Sequence, residues 1–323
     1  FQSASAVKVL RSSFCSEYST EDFATHVGPF IDDQGFNCFV YSCTDSDGDY
    51  RPDRCDQCDG EVDVDLDESG WADCREETLK DGSRILTVAP DTQIQTAIQS
   101  AQDGDTVLLE AGDYYLPHGF SLNPSGKDIT IRGTLDTDGS RLSRIYSTDA
   151  PAIYLENSTV SLEVEDLAFT GQLSGTVPYD GGAAIYFDSS RCVVRNCAFI
   201  NCRAEQGFGG AIRVDAYNPN GYPWIFNCEF DNCIASRGGA IYISSVQPTS
   251  ISLQISDCFF SNNTALSNVS YTGGAIHSQV ARLQVTDSVF VSNLINLGDS
   301  TLGNSVFQSA SAVKVLRSSF CSE

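Results

Sequence analysis

RNCAFIN at residues 195–201 returns as FNCEFDN at 226–232, as SDCFFSN at 256–262 and as TDSVFVS at 286–292. The fifth position of each phrase is a phenylalanine, Phe199, Phe230, Phe260 or Phe290, set among polar turn formers. EDLAF ending at Phe169 and RSSF ending at Phe320 extend the series, with spacings of 30, 31, 30, 30 and 30 residues. A second phrase is interleaved with the first: GGAAIYF from Gly181, GGAIRV from Gly209, GGAIYI from Gly238 and GGAIHS from Gly273. Two phrases sharing one period mark two fixed sides of a coil, and periods of this size signal a solenoid. Short apolar alternations such as AIYI, SLQIS and RLQVT, separated by Gly, Asn, Ser and Asp, make its segments strands. The fold class is therefore all-β.

In a β-solenoid each rung lies about 4.8 Å above the last, so equivalent residues stack in columns. The phenylalanines are expected to form an internal aromatic stack, and the glycine pairs to supply positive φ or a close approach at a corner. Asn201, Asn232 and Asn262, followed by Ser292, read as a polar ladder that satisfies backbone groups at a turn. Cys197, Cys228 and Cys258 fall in one column, and Cys202 with Cys233 in another. Vertical neighbours in a column come within disulfide reach. Cys202–Cys233 and one pair from the other column, such as Cys197–Cys228, are the expected bridges, with buried free thiols as the alternative.

The segment QIQTAIQSAQDGDTVLLEAGDYY, residues 93–115, resembles the opening of the pectin-lyase-like superfamily, where a short amphipathic helix caps the first coil. That helix would bury Ile94, Ala97, Ile98 and Ala101, and Gly104 would end it. The GGAI phrases look like the repeats of secreted or surface proteins of the same superfamily. The resemblance spans residues 85–306 and implies a right-handed parallel β-helix. It says less about activity, because the superfamily holds lyases, hydrolases, adhesins and structural proteins.

Residues 18–84 interrupt the ladder with CTDSDGDYRPDRCDQCDGEVDVDLDESGWADCREE. Asp45, Asp47, Asp49, Asp53 and Asp56 occupy positions 1, 3, 5, 9 and 12 of a calcium loop. Asp65, Asp67, Ser69, Asp73 and Glu76 occupy the same positions of a second loop, with Gly70 at position 6. Alternating short carboxylates on a turning loop supply the six to eight oxygens that calcium needs. The stretch resembles thrombospondin type 3 calcium repeats, with Cys43, Cys55, Cys58 and Cys74 where their disulfide staples would stand and Cys38 as a further disulfide candidate. Tyr50 departs from that pattern, which has Gly at position 6. A zinc site at CDQC lacks the second CxxC or paired histidines it would need. Calcium, as a structural ion, is the one cofactor expected.

The net charge of −24, from 43 acidic against 19 basic residues, excludes nucleic acid and anionic membrane as natural partners. No stretch is apolar enough to span a membrane and no secretory leader is legible, while the Phe at position 1 and the lack of Met suggest an excerpt or processed product. The 13 cysteines and the sequons at Asn157, Asn262 and Asn268 suit a secreted, extracellular glycoprotein. Residues 1–17, FQSASAVKVLRSSFCSE, recur unchanged at 307–323, which makes 12 unique cysteines and 306 residues the repeating unit.

A coil whose last rung repeats its first implies head-to-tail stacking of copies. The chain is thus expected to be a structural unit of an extracellular fibre and not an enzyme. The alternatives are a polysaccharide lyase or hydrolase, or a glycan-binding adhesin, on the same fold. Asp180, Asp188, Arg213 and Asp215 are the scattered polar residues of the coils, read as turn residues without a paired constellation. The three histidines, His26, His118 and His277, are far apart in sequence, and no catalytic residue is assigned.

Overall fold

The computed structural model describes residues 76–79, 82–90, 92–124, 126–155, 161–173, 181–188, 191–215, 223–244, 252–266, 273–278, 282–296, 301–303, 307–309, 312–316 and 318–321, and strands at 7–9, 13–15, 31–33 and 38–40. The chain coils as a right-handed parallel β-helix with three sheets running along its axis, of thirteen, ten and six strands. The six-stranded sheet stacks Ile153–Leu155, Ile185–Asp188, Ile212–Asp215, Ile241–Ser244, Ile276–Ser278 and Phe307–Ser309, all parallel. The helix Ile94–Ser100 buries Ile94, Ala97 and Ile98 at the first coil, as the sequence predicts, but Ala101 caps it, and Gly104 makes the turn that follows at φ +92°. Beneath it, Arg84 and Asp105 form a buried ion pair at 2.8 Å, and Arg84 also donates to the carbonyl of Ser100, anchoring the helix end.

Register is the reason the columns form. Phe169 pairs with Phe199, Phe199 with Phe230, Phe230 with Phe260, Phe260 with Phe290 and Phe290 with Phe320. Ring centroids from Phe169 to Phe290 are spaced 5.3, 4.8, 4.7 and 4.7 Å, the strand repeat of a parallel sheet. Two turn columns adopt left-handed backbone: Asn201, Asn232, Asn262 and Ser292, and also Asp166, Asn196, Asn227, Asp257 and Asp287, all with φ between 51° and 60°. Asn and Asp tolerate this region best among residues with a Cβ. The first column is the polar ladder read from the sequence, and Asn232 there donates its side-chain amide to Asn201 at 2.7 Å. In the phrases from Gly209 and Gly238 the first glycine carries the turn, at φ +67° and +58°. The second allows close approach, since a Cβ on Gly210 would lie 2.2 Å from the carbonyl oxygen of Gly239.

The cysteines correct one expectation. Cys197, Cys228, Cys202 and Cys233 are free, buried thiols, as are Cys192 and Cys258. In-register side chains leave their strands in the same direction about 4.8 Å apart, beyond the usual Cβ separation of a disulfide. The thiols instead serve as corner donors. Cys202 and Cys233 donate to the carbonyls of Phe169 and Phe199 at 3.6 and 3.4 Å. Asn263 and Asn293 continue the same column and donate to the carbonyls of Phe230 and Phe260 at 2.9 and 3.0 Å. Burial pushes the thiols of Cys197, Cys228 and Cys233 well above the usual range and keeps them protonated.

Within the stretch read as the acidic insert, two short strands belong to separate two-stranded sheets. Strands Ile31–Asp33 and Cys38–Val40 pair parallel with Val7–Val9 and Ser13–Cys15.

Candidate polar and aromatic site on the six-stranded face

The residue after the isoleucine of each GGAI phrase points outward, because strand side chains alternate and the isoleucines Ile185, Ile212, Ile241 and Ile276 are buried inside. Pairing sets these outer residues in one column: Tyr154, Tyr186, Arg213, Tyr242 and His277. Tyr154 and Tyr186 stack at 4.9 Å, and Tyr242 and His277 at 5.2 Å. Arg213 fills the rung between, its guanidinium 5.4 Å from the Tyr186 ring and 5.9 Å from that of Tyr242. Phe208 flanks it, 5.4 Å from the guanidinium and stacked on Tyr242 at 4.7 Å. Cation–π attraction of this kind strengthens as water is excluded.

Two positions along the strand, Asp215 gathers polar groups from three rungs. Arg213 donates through Nε at 2.9 Å and reaches the same carboxylate with a second nitrogen at 2.7 Å. The Tyr186 hydroxyl donates to Asp215 Oδ2 at 3.0 Å, and the Ser244 hydroxyl donates to Oδ1. Asp215 is only 2% exposed, so its charge is held by these donors and not by water. Register also sets Asp188 opposite Asp215 on the adjacent rung. His277 is buried, and burial followed by the positive charge of Arg237 pushes its pKa down from 6.5 to about 4. At neutral pH its imidazole is therefore uncharged, with acceptor capacity.

These facts revise the reading of Arg213, Asp215 and Asp188 as scattered turn residues. All three lie on strands, and Arg213 and Asp215 form one bonded unit. Of the histidines, His277 joins the aromatic column, whereas His118 sits apart beside Asp149. Asp180 and His26 lie outside the described residues.

The calcium set Asp45, Asp47, Asp49, Asp53, Asp56, Asp65, Asp67, Ser69 and Asp73 lies outside the described residues, and Glu76 is described only as backbone of a strand. Cys43, Cys55, Cys58, Cys74, Asn157 and Asn268 also lie outside, and Cys38 is described only as strand backbone. Among the described residues no group of three or more His, Cys, Asp or Glu side chains is placed to hold a metal ion. Asn262 is exposed, at φ +55°, in its left-handed column.

Comparison with known proteins settles the family. The sequence matches the family described as right handed β-helix region over residues 125–316. The chain belongs to the right-handed β-helix family. No curated protein matches the sequence. Among solved structures, the chain is similar to a mannuronic acid specific polysaccharide family 6 lyase from human gut microbiota, at 14% identity and a TM-score of 0.38, covering 73% of this chain and 59% of that one. It is also similar to the family 6 alginate lyase AlyGC, at 12% identity and a TM-score of 0.41, covering 90% of this chain and 48% of that one. This chain spans about half the length of these structures, and the likeness is one of architecture. The expectation that the chain is not an enzyme is corrected at its premise: it rested on scattered polar residues, and the coil brings Tyr186, Arg213 and Ser244 together on Asp215.

Among the described residues no helix is long and apolar enough to cross a membrane.

Proposed function

We propose that this β-helix acts on a carbohydrate polymer laid along the outer face of its six-stranded sheet. The observation that carries this reading is the convergence of Tyr186, Arg213, Asp215 and Ser244 from three successive rungs, within a column of aromatic rings parallel to the axis. The stacked rings fix the column rigidly along the axis, and the arginine, carboxylate and hydroxyl groups beside it can orient the polar edges of sugars. Tyr186 and Asp215 share a proton-bearing hydrogen bond, and such groups can give or take a proton at a glycosidic linkage.

The test is incubation of the purified chain with uronate-containing and neutral polysaccharides, reading new reducing ends for hydrolysis and unsaturated uronate absorbance for elimination. Asp215→Asn and Tyr186→Phe should each lower the rate at least tenfold while polymer retention on an affinity gel persists. Neither cleavage nor retention of any polymer would remove this reading.

A second reading is a secreted head-to-tail fibre subunit, stiffened by calcium in the acidic insert. What favours it is the ordered attachment of the repeated rung, where Phe320 pairs in register with Phe290.

A further inference from the structure

Negative charge is spread unevenly along the coil. The chain carries 43 acidic residues, yet Asp257 is the one Asp or Glu between residues 232 and 286, and it stands in a left-handed turn column. That stretch holds the rungs of Tyr242 and His277 in the aromatic column, and the strand Ile234–Arg237 that precedes them. Burial keeps His277 uncharged at neutral pH, so the charge on this part of the face comes from arginine.

Arg237 ends its strand just before the glycine turn Gly238–Gly239, which leads into the six-stranded sheet. Register sets it opposite Phe208, with its guanidinium 5.7 Å from that ring. The guanidinium of Arg213 lies 5.4 Å from the same ring, so both cations border the site around Asp215. Their states differ. Arg213 is held by Asp215 at 2.7 Å, as Arg84 is by Asp105 and Arg195 by Glu163 and Glu165. Among the described residues no carboxylate forms an ion pair with Arg237, and the neighbouring stretches 245–251 and 267–272 contain no Asp or Glu. A half-buried guanidinium without a counter-charge favours an anion, and its planar fork fits a carboxylate or a sulfate ester through two parallel hydrogen bonds.

Resting on the carbohydrate reading above, we infer that Arg237 selects the polymer by charge, pairing with a carboxylate or sulfate group of the chain on the six-stranded face. The substrate class is thus a polyanionic polysaccharide. Arg213, already bonded to Asp215, competes poorly for that group. The scarcity of acids over 232–286 acts in the same direction, because it lowers repulsion of a polyanion at this end of the face despite the net charge of −24.

The test measures retention of the full chain in native gels cast with polymannuronate or polygalacturonate, with a sulfated galactan, or with neutral mannan. The uronate and sulfate arms separate the two sources of negative charge. Retention by at least one polyanion, weakened by added salt, is the expected result. Arg237→Gln should weaken that retention about tenfold, the worth of a hydrogen bond to a charged group. Arg237→Lys should recover part of the loss, and in cleavage assays Arg237→Gln should raise KM more than it lowers kcat. Equal loss in the two variants would assign Arg237 a packing role and overturn the inference, as would polyanion retention unchanged in Arg237→Gln. Retention by mannan alone would keep the carbohydrate reading and remove selection by charge, and retention by none removes both.

Discussion

At the scale of single residues, the coil depends on side chains that do backbone work. Asn201, Asn232 and Asn262 hold left-handed turns that would strain most other residues by about 1 kcal/mol or more. Their neighbours Asp166, Asn196, Asn227, Asp257 and Asp287 do the same, and the repeated phrase shows them as plainly, three positions before each phenylalanine. In sequence alone they are indistinguishable from generic turn residues, because only the backbone angle separates a left-handed column from an ordinary loop. His277 gives the residue-scale prediction. An unfolded chain protonates this histidine near its ordinary 6.5, whereas the folded chain resists until about 4. Between those values the unfolded state binds more protons, so stability falls as pH drops, by up to about 3 kcal/mol. Urea unfolding at pH 7 and at pH 4.5 should show this loss, and His277→Phe, which keeps a ring against Tyr242, should show it reduced by that amount. Equal pH sensitivity in the two proteins would mean the imidazole is not the group responsible.

At the scale of a column, chemistry is set by position in the rung more than by residue type. Cys202, Cys233, Asn263 and Asn293 share one corner and each donates to the carbonyl of a phenylalanine in the preceding rung. Cys233→Asn should therefore stay within about 1 kcal/mol of the parent in urea unfolding, since an amide is the stronger donor and the corner accommodates it one rung later. Cys233→Ala should lose about 2 kcal/mol, leaving a small void and an unpaired carbonyl. An alanine variant as stable as the parent would show that the corner bond carries no weight. The aromatic column outside the sheet follows the same logic: the position after each GGAI isoleucine holds Tyr186, Arg213, Tyr242 or His277. That regularity is present in the sequence, but residue types that differ from rung to rung hide it until register aligns them.

At the scale of the molecule, the open question is how the β-helix relates to its acidic insert. If calcium fills the two Asp-rich loops, chelation should open residues 44–77 to limited proteolysis and leave the coils from residue 84 uncut. Unchanged cutting within that stretch, with and without chelator, would count against calcium.

The sequence by itself determined the coil, its period, the phenylalanine column and the capping helix, since a 30-residue repeat of apolar and turn residues admits few other ways to bury its apolar face. Only the tertiary structure decided which polar residues meet. Arg213 and Asp215 are two apart in the chain, but Tyr186 and Ser244 are each 29 residues from Asp215, and rung register alone brings them to one carboxylate. Likewise the cysteines are spaced as a disulfide ladder would be, but side chains that leave parallel strands in the same direction stay a full rung apart. Spacing in sequence names the column, and the geometry of the sheet decides what the column can do.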